Sequence, residues 1–134
     1  MPRFGRESEA QLATIHPDLQ RVLRKAIQVV DFSVVEGHRG KAAQDAAYAK
    51  GLSKVRWPNG NHNKSPSEAA DVAPYPIDWS NKQAAVERFV YVQGVIRACA
   101  YELGVPIRQG LDWDGDLDFV EERFRDYPHV ELKR

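Results

Sequence analysis

Apolar positions along the chain fall into a few runs with readable periods. From Pro17, which the first turn of a helix tolerates, Leu19, Val22, Leu23, Ala26 and Val30 recur at helical spacing. Residues 31–36, Asp-Phe-Ser-Val-Val-Glu, read as a strand closed by Gly37. An alanine-rich stretch over 40–50, carrying Lys41 and Gln44, predicts a second helix that stops near Gly51. Residues 52–68 hold Pro58, Gly60, Pro66 and clusters of Asn and Ser, and predict a loop. A short strand is expected over 70–73, stopped by Pro74 and Pro76. The best helix follows, with Ser80 as its expected cap and Ala85, Phe89, Val92, Ile96, Cys99 and Leu103 as one apolar stripe. Gly104 ends it. Beyond lie an expected strand over 105–108, an aspartate-rich polar segment over 110–118, a short amphipathic piece over 119–124 and a last strand over 129–132. Helices and short strands alternate without the regular crossovers of a parallel sheet. The fold class is therefore α+β, a small antiparallel sheet with flanking helices.

Composition narrows the function. The 134 residues make one domain's worth of chain, 43% hydrophobic and 28% charged, enough for one modest core. Nineteen Lys and Arg balance nineteen Asp and Glu, which excludes a strong overall basic footprint and argues against a nucleic-acid partner. No apolar run approaches the roughly 20 residues that span a bilayer, and the first residues lack the apolar centre of a signal peptide. Cys99 is the sole cysteine, so no internal disulfide forms and synthesis in a reducing compartment fits.

Candidate chemistry sits on the histidines His16, His38, His62 and His129. His62 lies in the long polar loop, Asp71 in a short strand and His129 at the start of the last strand. Two imidazoles and a carboxylate make an open Zn²⁺ site, provided the two strands and the loop meet at one point. The competing reading is a solvated loop histidine and a strand-edge histidine, since no compact metal motif is present.

The run Asn61-His62-Asn63-Lys64-Ser65-Pro66-Ser67-Glu68-Ala69-Ala70-Asp71-Val72-Ala73-Pro74-Tyr75, with the later Asp126-Tyr127-Pro128-His129-Val130-Glu131-Leu132, resembles the M15 zinc peptidases of peptidoglycan. Among these the phage L-alanyl-D-glutamate endopeptidases, which act as endolysins, are the most similar branch. Gly37-His38-Arg39 with Gln44, and Phe4-Gly5 with Gln11-Leu12-Ala13-Thr14, add further elements in family order, so the resemblance runs over nearly the whole chain. It implies a hedgehog/D-Ala-D-Ala peptidase type of fold, with residues 1–134 as a single catalytic domain. One zinc per chain would be held by His62, Asp71 and His129, with Asp126 as general base and Arg39 facing substrate and the developing oxyanion. The commoner family spacing, counted back from Asp71, lands on Lys64. Lysine is a poor zinc ligand beside an imidazole, so His62 takes the position through a two-residue expansion of the loop.

Gln44 is expected to orient the site, and His38 to be a structural neighbour of Arg39 on the opposite strand face. Glu131, on the same strand face as His129, is the second candidate base. Trp57, Trp79, Trp113 and Tyr75 fit either a substrate groove or the core; Tyr75 and Trp113, with Gln44, are the substrate-binding candidates. Asp112, Asp114, Asp116 and Asp118 alternate as in a calcium loop, but the sixth position lacks glycine and the twelfth lacks an acid. An acidic turn is the competing reading, with Ca²⁺ kept as a second candidate ion.

The resulting expectation is a monomeric zinc enzyme cutting an amide of peptidoglycan stem peptides, most directly L-Ala–D-Glu, during host lysis. It would be made in the host cytoplasm and act at the periplasmic wall. A D-Ala-D-Ala carboxypeptidase is the enzymatic alternative, and a non-catalytic zinc-containing wall-binding module the alternative of another class; only an enzyme needs Asp126 together with Arg39.

Overall fold

A computed structural model describes residues 1–117 and 126–134. The elements in chain order are α1 (Arg6–Leu12), α2 (Pro17–Ile27), β1 (Phe32–Glu36), α3 (Lys41–Ala49), β2 (Ala69–Pro74), α4 (Gln83–Leu103), β3 (Ile107–Gln109) and β4 (His129–Leu132), with a 3₁₀ turn at Asn61–Asn63 between α3 and β2. The four strands form one antiparallel sheet in the order β1-β2-β4-β3. The α+β expectation holds.

Local chemistry explains the boundaries. In α2, Pro17 occupies the first turn, and the His16 Nδ1 caps it by accepting from the Asp18 N–H at 3.1 Å. Leu19, Val22, Leu23, Ala26 and Ile27 face inward, while Val30 packs against the core after the helix has ended. The 21 residues of α4 stop at Gly104, whose φ of 69° is the left-handed conformation glycine adopts without strain.

Three expectations are corrected. Ser80 does not cap α4: its hydroxyl accepts from the Lys82 N–H as a local turn, and the helix begins one residue later, at Gln83. The strand expected over 105–108 starts at Ile107, because the Val105 N–H closes the end of α4 on the Ala100 carbonyl and Pro106 has no N–H to give to a ladder. The region 1–16 contains a helix that periodicity missed, since only Ser8 and Leu12 of α1 are buried. The amphipathic piece expected over 119–124, and Asp118, lie outside the described residues.

The core lies between one face of the sheet and the packed pair α2 and α4, with Phe32 and Val34 from β1, Ala70 and Val72 from β2, and Val130 and Leu132 from β4. Alternation along each strand sends the intervening residues to the other face. That second face carries Asp71, His129 and Glu131. Asp71 and His129 are direct cross-strand partners, and a register shift between Val34 and Glu36 brings Glu36 opposite Asp71 on the other side. One row across β1, β2 and β4 thus reads Glu36, Asp71, His129.

Candidate metal centre and cleft

The third imidazole-or-carboxylate donor arrives from the loop. Gly37 ends β1 in a tight seat: a side chain there would meet the Thr14 hydroxyl, the Gln11 carbonyl at 2.7 Å and Ile15 at 2.8 Å. Its carbonyl accepts from His62 Nδ1 at 2.7 Å. A carbonyl only accepts, so Nδ1 carries the proton and Nε2 presents a lone pair. The 3₁₀ turn around His62 is pinned by Asn63, whose Oδ1 accepts from the Gly60 N–H at 2.9 Å and whose Nδ2 donates to the Arg39 carbonyl at 3.0 Å and to Gln44 Oε1 at 3.1 Å. Lys64 turns away to pair with Glu68 at 3.1 Å.

His62 Nε2 lies 3.3 Å from Asp71 Oδ1, and His129 Nδ1 lies 3.4 Å from the same oxygen. The three donor atoms fall within 4.8 Å of one another, and both His62 Nε2 and Asp71 Oδ1 are buried without a hydrogen-bond partner. Buried polar atoms are rarely left so, and such a pair marks a site built for something else. A tetrahedral ion with bonds of about 2.0–2.2 Å needs donors about 3.3–3.6 Å apart, which the two separations from Asp71 Oδ1 match. Behind the donors, His129 Nε2 meets Glu131 Oε1 at 2.7 Å. A carboxylate on the far nitrogen fixes the ring and raises its basicity, the usual second support of a ligating histidine. Glu131 therefore orients His129 and is not free to serve as the base.

Electrostatics follow from this packing. Burial works against the Asp71 carboxylate, but the two imidazoles of His129 and His62 set against it outweigh burial and hold the group far below the usual range. Burial also works to lower His129, yet Asp71 and Glu131 prevail and lift it to about 9. Asp126 lies with Oδ2 4.0 Å from His129 Nδ1 and is pushed up to about 6, first by burial and then by the Asp71 charge. Arg39 spans the row: Nε and Nη2 bond Glu36, Nη1 donates to Gln44 Oε1 at 3.1 Å, and Nη2 reaches Asp71 Oδ2 at 3.4 Å. Gln44 is fully buried and its Nε2 donates to Ser53 Oγ and the Val55 carbonyl, so it ties Arg39 to α3 and the loop after it.

These groups open on a cleft of about 990 Å³, lined also by Trp79, Trp113 and Arg108, with Ala43, Leu52 and Val55 along its apolar wall. The Trp113 ring lies 5.4 Å from that of His129. Tyr75 is brought elsewhere: it is 65% exposed and lines a separate hollow with Phe32 and Ile77. His38 lies past the end of β1, its N–H donating to the Thr14 hydroxyl, and it does not line the cleft.

A family model described as phage L-alanyl-D-glutamate peptidase matches residues 1–133. The chain belongs to that family. Consistent with this, it is 36% identical to the L-alanyl-D-glutamate peptidase of Escherichia phage T5, over 97% of each chain. Among solved structures it is similar to the Serratia marcescens L-Ala D-Glu endopeptidase ChiX, with a TM-score of 0.75 and 28% identity, covering 98% of this chain and 90% of that one. The family resemblance seen in the sequence, the fold class and the assignment as a peptidase are all borne out.

Two further features of this family member lie beside the cleft, the first of them without a signal in the sequence. Gly110 is obligatory, because an added Cβ would meet the Asp126 carbonyl and lie 2.8 Å from Asp126 Cβ. At the acidic turn, the carboxylates of Asp112, Asp114 and Asp116 converge; Asp112 is buried, and its Oδ1 has no hydrogen-bond partner while Oδ2 accepts from the Leu117 N–H at 2.9 Å. No helix among the described residues is long and apolar enough to cross a membrane.

Proposed function

We propose that the protein is a zinc peptidase that hydrolyses the L-Ala–D-Glu amide of peptidoglycan stem peptides. In this reading the whole chain is one catalytic domain, a monomeric endolysin made in the host cytoplasm and acting at the periplasmic wall. The observation that carries it is the convergence of His62 Nε2, Asp71 Oδ1 and His129 Nδ1, two of them buried and unsatisfied, beside the raised carboxyl of Asp126. Two nitrogens and one oxygen converging within 4.8 Å suit zinc and leave a position open. When bound, zinc supplies Lewis acidity towards the scissile carbonyl and lowers the pKa of water at the site.

The chain's own residues do the rest. Asp126, with a pKa of about 6, is mostly ionised at neutral pH yet basic enough to take a proton from the attacking water. It then delivers that proton to the leaving amine nitrogen. Arg39 is held rigidly by Glu36 and Gln44, and its remaining Nη1–H is available for the substrate carbonyl as negative charge develops there. Trp113 and Gln44 complete this end of the cleft. The converging carboxylates of Asp112, Asp114 and Asp116, all oxygen donors, suit Ca²⁺ as a second and structural ion.

Chelation should abolish hydrolysis of purified sacculi, and about one equivalent of zinc should restore it. Hydrolysis indifferent to chelator would overturn the assignment. A wall-binding module would retain sacculi without releasing any new amine.

A further inference from the structure

We propose that Gln93, in the middle of α4, is a positioning residue for the general base, acting through the Tyr127 carbonyl. The proposal rests on the reading of Asp126 as that base. Gln93 sits on the buried face of α4 between Phe89 and Ile96 and is only 1% exposed. Leucine or methionine would fill the same space, and a buried amide costs about 1–3 kcal/mol unless its hydrogen bonds are made. Its bonds explain its presence.

The turn 126–129 joins the base to the ligand His129, and its carbonyls are anchored one by one. That of Asp126 accepts from the His129 N–H at 3.1 Å, that of Pro128 from the Val72 N–H at 2.9 Å, and that of His129 from the Gly110 N–H at 2.9 Å. The Asp126 N–H in turn donates to the Gly110 carbonyl at 2.9 Å. Tyr127 is the position in this turn whose carbonyl is met by a side chain: Gln93 Nε2 donates to it at 2.8 Å. Gln93 is itself oriented, because Gln109 Nε2 donates to its Oε1 at 2.8 Å and to its backbone carbonyl at 2.7 Å. Gln109 belongs to β3 and pairs with Val130 of β4, one residue beyond His129. A relay from the sheet through α4 thus ends on the residue next to the base. Joining α4 to β3 needs only the Gln109 bonds; among the described residues the donor end of Gln93 serves the turn.

A shift of about 1 Å in a reacting group costs on the order of 100-fold in rate. Gln93→Met, which removes the donor and keeps the volume, should lower kcat on a purified muropeptide by about 10–100-fold. KM should stay within about 2-fold and the zinc content should be unchanged, a split that general loss of packing does not produce. Val92→Ala is the control: it removes buried packing one residue away, should lower the melting temperature at least as much, and should keep kcat when assayed well below that temperature. Gln93→Met with wild-type kcat, or Val92→Ala with an equal loss, overturns the proposal. Should Gln93→Met fail to fold, Gln109→Met carries the test, with a several-fold fall in kcat expected and wild-type kcat refuting. A wild-type enzyme that leaves the muropeptide intact would instead refute the proposed function, and this inference would fall with it.

Discussion

Replacing Asp126 with asparagine separates what this carboxylate does for the reaction from what it costs the fold. Its pKa is pushed from an ordinary 3.8 to about 6 by burial and by the Asp71 charge. Because the folded value lies above the unfolded one, stability falls as pH rises from 3.8 to 6, and the full cost is present above 6. At about 1.4 kcal/mol per pH unit, with some screening for a side chain that is 25% exposed, the cost at pH 7 is about 2–3 kcal/mol. Asparagine keeps the shape and carries no charge, so metal-free Asp126→Asn should be more stable than wild type by about that amount at pH 7, a rise of roughly 5–10 °C in melting temperature. Near pH 3.5 the difference should vanish. Activity moves the other way: loss of a positioned base costs about 10²–10⁴-fold, or roughly 3–5 kcal/mol of transition-state stabilisation. Thermal unfolding at the two pH values and hydrolysis of sacculi by the zinc-loaded variant measure both sides. Near wild-type hydrolysis would exclude Asp126 as the base, and a variant less stable at pH 7 would exclude a buried, destabilising charge there.

His62→Ala should lose zinc while Lys64→Ala keeps it, as read by metal analysis after dialysis, because Lys64 is turned towards Glu68. His129 has a folded pKa of about 9 against an ordinary 6.5, so its contribution to the metal-free protein is full below pH 6.5 and lost as pH rises through 9. Urea midpoints of the metal-free form should fall across that window, and zinc, which needs the neutral imidazole, should remove the dependence. Gly110→Ala forces a methyl group against the Asp126 backbone; a loss of about 1–3 kcal/mol in stability and at least about 10-fold in kcat is expected from denaturation and steady-state assays.

Much of this architecture was legible in the chain because strong periodicity and punctuation agreed. The stripe of α4, the stop at Gly104 and the strand bounds of β4 came through, and strand alternation put His129 and Glu131 on one face. The site was harder. His62 lies in a loop without period, and its place beside Asp71 depends on Asn63, which bonds Arg39 and Gln44 far back in the chain, and on the Gly37 carbonyl 25 residues away. The role of Glu131 as support for His129 depends on which ring nitrogen faces the strand, which spacing does not encode. Tyr75 lies beside a motif yet at the other side of β2's end, where adjacency in sequence says nothing about the cleft. Gln93 left one usable trace: it falls four residues after Phe89, in line with the buried stripe, where an amide is out of place unless something needs its hydrogen bonds.

The proposed chemistry cuts one bond, L-Ala–D-Glu. Mass spectrometry of muropeptides from purified sacculi digested by the zinc-loaded enzyme reads it directly. Free stem peptides that begin with D-Glu are expected, with glycan chains that keep L-Ala on the lactyl ether. Free D-alanine as the sole product would contradict it and establish the carboxypeptidase alternative.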